Sequence, residues 1–419
     1  MRFPLKTTLK IAAHIVKHKI KRTPRFAMVL QLEPLHRCNL ACTGCGRVRE
    51  YADTMDKYMS LQECLDAANE CDAPMVSICG GEPLIYPEIE KLVDELLTQG
   101  RIVYICTNAI LLRRKLKEYI AAIYNESMEP KLRQFVSDGL ISEEDCQVIR
   151  KGNAKPVIYP NWATYWNIHL DGMEKIHDMC VERDGVFKEA ITAIKLAKAL
   201  GFNVATNTTV YRQSDMDEIE HLLEYLSWIG VDGHTISPGY DYDDAKEDML
   251  KRLGKNPDDF YLTRSETRKK FKHILEWGEK FNLFGTVVYQ EFLAGKRDLS
   301  CTAWAIPTVT PKGWRSPCYM LADKHYATYR ELLEKTPWDK FGIKGTKVLD
   351  KRCTNCMVHC GFDPSGALGI DAKPGDTWKN FRYNFGAHPK PCPEGANVNP
   401  FNGISIGKGR KSSSENADK

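Results

Sequence analysis

Six short apolar runs recur between residues 28 and 238, each followed by an amphipathic stretch, and this alternation constrains the architecture most. The runs are residues 28–34 (MVLQLEP), 75–80 (MVSICG), 102–108 (IVYICTN), 166–171 (WNIHLD), 203–210 (NVATNTTV) and 233–238 (GHTISP). They are rich in apolar and β-branched residues, and most end at Gly, Asn, Asp or Pro, as strands do. Between them, residues 60–71 open with the capping-box pair Ser60 and Glu63, and residues 87–98, 186–200 and 214–228 carry apolar residues at helical spacing. Strand–helix alternation predicts a parallel sheet, and six units predict an α/β fold of the partial (β/α)6 barrel type. Chemistry in such a fold sits where strands end, and polar residues gather there: Glu82, Thr107, Asn108, Asp171, Asn207 and Ser237.

Two segments break the alternation. Residues 112–160 are too long for one crossover helix and predict two or three short helices inserted over the barrel mouth or rim. The tail after Asn399 is rich in Gly, Ser and Lys and has too little apolar content to pack. The expected divisions are a basic amphipathic segment (1–27), the barrel (28–285), a cysteine-rich extension (286–398) and a disordered tail (399–419).

Fifteen cysteines are the unusual number. A chain of 419 residues buries a core without disulfide staples. Residues 1–30 lack the apolar core and cleavage site of a signal peptide, and no run reaches the roughly 18 apolar residues of a spanning helix. A reducing cytoplasm is expected, where clustered cysteines mean metal or redox chemistry. The net charge of +4 is too balanced for a nucleic-acid partner.

Cys38, Cys42 and Cys45 form C-x3-C-x2-C directly after the first strand. Three thiolates on a cubane leave one iron without a protein ligand, open to a chelating substrate. Structural zinc is the rival, but it prefers four protein ligands, commonly in two separated pairs. The spacing favours iron–sulfur.

These cysteines, with Gly80-Gly81-Glu82-Pro83 after the second strand, resemble the radical S-adenosylmethionine (radical SAM) superfamily. The resemblance implies a [4Fe–4S] cluster on the three cysteines, with SAM chelating the fourth iron. It also implies that the glycine turn receives the methionine amino group, two glycines allowing close approach and Glu82 pairing with the ammonium. The runs LEPLHRCNLACTGCG, APMVSICGGEPL, VYICTNA, HLDG, VDGHTISPGY, GWRSPCYML and CTNCMVHCG are similar to the adenosylhopane synthases of hopanoid biosynthesis. That likeness implies addition of the 5′-deoxyadenosyl radical to the terminal alkene of diploptene, with SAM consumed. An electron donor such as flavodoxin or ferredoxin would serve it.

Addition to a methylidene leaves a tertiary radical that must gain a hydrogen atom. Cys106, near the end of the third strand, is the expected donor, by its thiol chemistry and by the resemblance; the alternative is a small buried hydrophobe. Cys79 is the nearest competitor, expected to be structural. Thr107, Asn108, Asp171, Asn207 and Ser237 are expected contacts to SAM, beside Gly80, Gly81 and Glu82, and His169 is expected at the same mouth. Cys301, Cys318, Cys353, Cys356 and Cys360 resemble auxiliary-cluster extensions of radical SAM enzymes. One further [4Fe–4S] on Cys301, Cys318, Cys353 and either Cys356 or Cys360 is the preferred set, with Cys3His zinc through His359 the alternative and Cys392 unassigned.

Residues 1–31 hold eight Lys or Arg and no acid, with Leu5, Leu9, Ala12, Ala13, Val16 and Ile20 at near-helical spacing. Such a helix either lies on the inner face of an anionic membrane, as an isoprenoid-lipid substrate would suit, or packs beneath the barrel. The chain departs from the resembled family in the long 112–160 segment, in Gly46 where an aromatic often stands beside the third cysteine, and in TAWAIPTVTPK at 302–312. The first and last are expected to bear on substrate identity or entry.

Overall fold

The computed structural model describes residue 2 and residues 4–240 and 243–386. The six expected strands form as β1 (Val29–Leu32), β2 (Met75–Ile78), β3 (Ile102–Thr107), β4 (Thr164–His169), β5 (Asn203–Val210) and β6 (Gly233–Pro238). Each is parallel to the next in sequence order. The sheet continues past β1 into the cysteine-rich third, through β7 (Thr308–Thr310), which is parallel to β1, and the antiparallel β8 (Gly313–Pro317) and β9 (Ala322–Tyr326). Its order is β6-β5-β4-β3-β2-β1-β7-β8-β9. The extension is therefore built onto the barrel sheet, with β1 between the two parts.

The helices are α1 (Leu5–Ile20), α2 (Arg47–Glu50), α3 (Leu61–Cys71), α4 (Ile89–Thr98), α5 (Leu112–Ile123), α6 (Glu129–Ser137), α7 (Glu143–Ile149), α8 (Glu174–Val181), α9 (Val186–Ala199) and α10 (Met216–Trp228). Beyond β6 come α11 (Asp243–Arg252), α12 (Arg264–Lys270), α13 (Ile274–Lys280), α14 (Val287–Leu293), α15 (Tyr329–Lys335), α16 (His359–Leu368) and α17 (Asp376–Phe385). Ser60 and Glu63 form the expected reciprocal capping box on α3.

Side-chain alternation divides the strands into two faces. Val76, Ile78, Val103 and Ile105 enter the core shared with the helices, alongside Leu92 and Ile191. The opposite face turns Ser77, Cys106 and Asn167 toward one another. The sheet's opening edge is sealed by Ile102, Tyr104, Tyr165 and Ala205, with Ile11 of α1 packed against them.

The 112–160 segment does not cover the mouth. Helix α5 is itself the β3–β4 crossover: Leu112, Leu116 and Ile120 are fully buried in the helix-side core. Helix α7 packs on α5 through the Lys117–Asp145 ion pair, 2.7 Å. The loop that follows returns to the start of β5, where Asn203 Nδ2 donates to the Asn161 carbonyl at 2.8 Å. The added length thus thickens the helical layer and the base, because its apolar faces are taken up by α5 and the core.

Helix α1 is likewise oriented differently from a simple packed amphipath. Thr7 and His14 are buried, and Ile11 and Ile15 pack against Phe26 and Trp304. Leu5, Leu9, Val16 and Ile20 point outward, 46 to 77% exposed. Among the described residues, no helix is long and apolar enough to cross a membrane.

Candidate active site at the strand ends

The three-cysteine loop is held by backbone contacts from distant parts of the chain. Arg49 Nη1 donates to the carbonyls of Cys42 (2.9 Å) and Cys45 (3.1 Å), and its Nη2 to that of Ala41 (3.0 Å). Thr43 N donates to the Cys180 carbonyl and its hydroxyl to Glu182. Gly44, at φ +80°, lies under the Phe260 ring, which a Cβ there would meet at 2.7 Å. With their carbonyls satisfied, the cysteines are free to present sulfur. Burial pushes the Cys38 thiol up to about 12 and raises Cys42. Thiolates form here only where a cation compensates them, as a cluster's irons do.

Gly80 and Gly81 serve a purpose the sequence did not reveal. A Cβ on Gly81 would lie 1.9 Å from the Arg37 carbonyl oxygen, and one on Gly80 2.3 Å from that of Leu35. Gly81 N donates to the Leu35 carbonyl, and Glu82 N to that of Arg37. The glycines let the turn lie against the chain leading into Cys38.

Glu82 is 1% exposed and accepts from Thr107 Oγ1 (2.7 Å), Asn108 N (2.9 Å) and Leu84 N (3.0 Å). Burial lifts its carboxyl to about 7, against these hydrogen bonds. Thr107 and the Asn108 amide thus position Glu82. The Asn108 side chain instead reaches Asn39 Oδ1 at 2.7 Å, beside Cys38. Asp171 takes His169 Nε2 at 2.7 Å and Thr209 N at 2.8 Å, which orients the imidazole. Burial disfavours the His169 imidazolium, but the Asp171 carboxylate outweighs it and raises the pKa. Asn207 and Asn167 each keep a buried amide oxygen without a partner, as residues awaiting a donor would. Ser237 stands in register with Thr209 on the neighbouring strand, its hydroxyl accepting from His359 N at 3.5 Å.

The Cys106 sulfur lies 3.1 Å from Ser77 Oγ and accepts from Asn167 Nδ2 at 3.3 Å. Burial raises this thiol, so it keeps its hydrogen. Cys79 shares the strand-face parity of Ser77 and is close enough to Cys106 for their charges to interact. Strand alternation therefore turns Cys79 to the same side as Cys106, contrary to the expectation that parity would set it apart.

An ion pair beneath the loop was missed by sequence reasoning. Glu33, fully buried, meets Arg47 Nε at 2.8 Å, and Arg47 Nη2 donates to the Tyr319 carbonyl at 2.7 Å. An acid ending the first strand and an arginine two residues beyond the third cysteine were the only available signals.

Cys301, Cys318, Cys353, Cys356 and Cys360 all line one cavity of about 570 Å³. Its other walls are largely aromatic and aliphatic, including Trp304, Met320, Trp338 and Phe341. It runs from Tyr240 and Tyr319 to Arg25 and Trp304. Cys392 lies outside the described residues. Among the described residues, only His14, His18 and Asp72 form a group of three or more His, Cys, Asp or Glu ligand atoms all within 4.8 Å of one another. Both cysteine sets are more open than this, whereas a tetrahedral zinc site needs sulfurs roughly 3.8 Å apart. Open thiol sets of this kind fit [4Fe–4S] clusters: Cys38, Cys42 and Cys45 would hold one, and four of the five cavity thiols another.

Residues 32–129 match the Radical SAM superfamily, and residues 234–380 match a domain of unknown function, DUF3463. The chain is 22% identical over 201 residues to GTP 3′,8-cyclase of Clostridium botulinum (strain Hall), covering 46% of this chain and 51% of that protein. It is 22% identical over 278 residues to GTP 3′,8-cyclase of Aquifex aeolicus, covering 62% and 74% respectively. It thus spans about half the length of the Clostridium relatives it matches. Streptococcus suis SuiB bound to precursor peptide SuiA has a similar fold, with a TM-score of 0.50 and 13% identity over 83% of this chain and 74% of that one. The matched segment holds both the three-cysteine loop and the Gly-Gly-Glu-Pro turn, so residues 32–129 are similar to the radical SAM superfamily, and a [4Fe–4S] cluster and SAM are the cofactors that this likeness supports.

Proposed function

We propose that this radical SAM enzyme joins the 5′-deoxyadenosyl group of SAM to the terminal alkene of diploptene or a related isoprenoid lipid, giving adenosylhopane. Cys38, Cys42 and Cys45 would hold the cluster, which would supply the electron for reductive cleavage of SAM to methionine and the 5′-deoxyadenosyl radical. Glu82, ionised, pairs with the SAM ammonium through its remaining lone pairs. Asn207 Oδ1 accepts from the nucleoside. Addition to the alkene leaves a tertiary carbon radical, which takes the hydrogen atom of Cys106. The S–H bond breaks as the C–H bond forms, and the resulting thiyl regains one electron from a flavodoxin- or ferredoxin-type donor and one proton from solvent.

The observation that carries the lipid reading is the apolar cavity. Its Trp304 wall belongs to the apolar cluster holding Ile11 and Ile15 of α1, whose outward Leu5, Leu9, Val16 and Ile20 and basic flanks suit an anionic bilayer surface.

A nucleotide acceptor is the second reading. The matched relatives are named for GTP, and Arg25, Lys344 and Lys347 line the same cavity. Anaerobic incubation with SAM and dithionite separates the two: diploptene should give an adenosyl adduct by mass, and GTP none. Iron-loaded protein yielding neither 5′-deoxyadenosine nor adduct would overturn the proposal. Cys106→Ala should leave SAM cleavage in place while diverting the product; an unchanged product profile removes Cys106 from the reaction.

A further inference from the structure

His14 and His18 stand one turn apart on α1, and Asp72 follows α3 directly, in a left-handed conformation at φ 51°. One ligand atom from each lies within 4.8 Å of the other two. This group lies on the pairing of α1 with the end of α3, and neither cysteine set contributes to it.

The details of each residue point to ligation. His14 Nε2 is 2.9 Å from the Ala27 carbonyl oxygen, which only accepts, so Nε2 carries the proton and the lone pair sits on Nδ1. Metal-binding histidines characteristically fix their tautomer this way, donating the second ring N–H to a carbonyl or carboxylate. The His18 ring is stacked on Phe26 at 4.2 Å and 9°, yet both its nitrogens are out of water and lack a hydrogen-bond partner. Leaving such atoms unsatisfied is costly unless a ligand occupies the site. Asp72 is held by Lys17 Nζ at 2.7 Å through one carboxylate oxygen, and no hydrogen bond occupies the other.

We propose that His14 Nδ1, one ring nitrogen of His18 and the Asp72 carboxylate bind a divalent transition metal ion of the zinc or cobalt class. Two imidazoles and a carboxylate are the donor set such borderline ions select, and soft thiolate is absent from it. The ion clamps α1 to the barrel, with Lys17 as the competing cation for Asp72.

The test is titration of the full-length, cluster-loaded protein with Co²⁺ under argon, read by visible d–d absorption. Thiolate ligation adds a sulfur-to-metal charge-transfer band and is thereby distinguished. Wild type should take up about one Co²⁺ with nitrogen and oxygen ligation. His18→Ala should lose this signal. Asp72→Asn, which tolerates the left-handed backbone, should weaken binding about tenfold or more. Lys17→Ala should tighten it, and excess Zn²⁺ should raise the unfolding temperature of wild type but not of His18→Ala. Equal Co²⁺ spectra for wild type and His18→Ala would overturn the site. Unchanged affinity in both Asp72→Asn and Lys17→Ala would overturn Asp72 as its third ligand.

Discussion

The two cysteine regions solve opposite problems. The Cys38–Cys45 loop takes three thiols from eight consecutive residues and borrows its rigidity: Arg49 caps the loop's own carbonyls, while Thr43 and Gly44 tie it to a carboxylate and a ring supplied elsewhere. The C-terminal set takes five thiols from segments as far apart as Cys301 and Cys360 and gathers them around a cavity whose apolar walls supply the rigidity. A compact motif needs external support, whereas a dispersed one is assembled by the fold. This difference explains why the first site is readable as a string and the second only as a likeness.

The largest effects should separate the regions outright. Cys42→Ala should abolish SAM cleavage while leaving about four iron atoms per chain. Cys318→Ser should also remove about four iron atoms, yet keep SAM cleavage. Iron analysis with product quantification checks both, and loss of all iron in either variant would erase the distinction. Gly81→Ala comes next. Its Cβ meets the Arg37 carbonyl oxygen at 1.9 Å, so the Cys38 approach must move and cluster loading should fall severely.

Glu82 gives a smaller, pH-dependent effect. Its folded value of about 7 lies above the ordinary carboxylate value, so the folded chain holds this proton longer than the unfolded one. Its contribution to stability is therefore full in acid and is lost as pH rises to about 7. An ammonium prefers the ionised form, so SAM affinity should rise across that same window. Glu82→Gln should flatten the profile and weaken SAM roughly tenfold or more, as loss of a hydrogen bond to a charged group does. Calorimetry at several pH values checks this. The smallest effect belongs to the second site: a Cβ on Gly361 would sit 3.0 Å from Cys301 Sγ, a side-chain atom able to shift. Gly361→Ala should perturb the second cluster's electron paramagnetic spectrum and leave SAM cleavage intact.

The six strands were legible almost to the residue because β-branched runs ending in Gly, Asn, Asp or Pro record both burial and termination, as Asn203–Val210 shows. The 112–160 segment was misplaced for a related reason. Periodicity reports that Leu112, Leu116 and Ile120 form an apolar face, but not which surface takes it up. That Cys79 faces the same side as Cys106 follows from strand alternation in β2, which Ser77 and its contact with Cys106 make visible. The Glu33–Arg47 pair was invisible because nothing local marks a charge as buried. Arg47→Leu should cost about 3–5 kcal/mol by stranding Glu33, measurable by denaturant titration.

The braces on the first cysteine loop have a consequence for biogenesis. They come from Cys180 and Glu182, from Asp248 through its 3.0 Å ion pair with Arg49, from Phe260, and from the Tyr319 carbonyl through Arg47. A ribosome that has finished the loop has yet to make any of these groups. Assembly factors that insert iron would therefore meet an unshaped loop until three-quarters of the chain had emerged, which makes cluster insertion a late event.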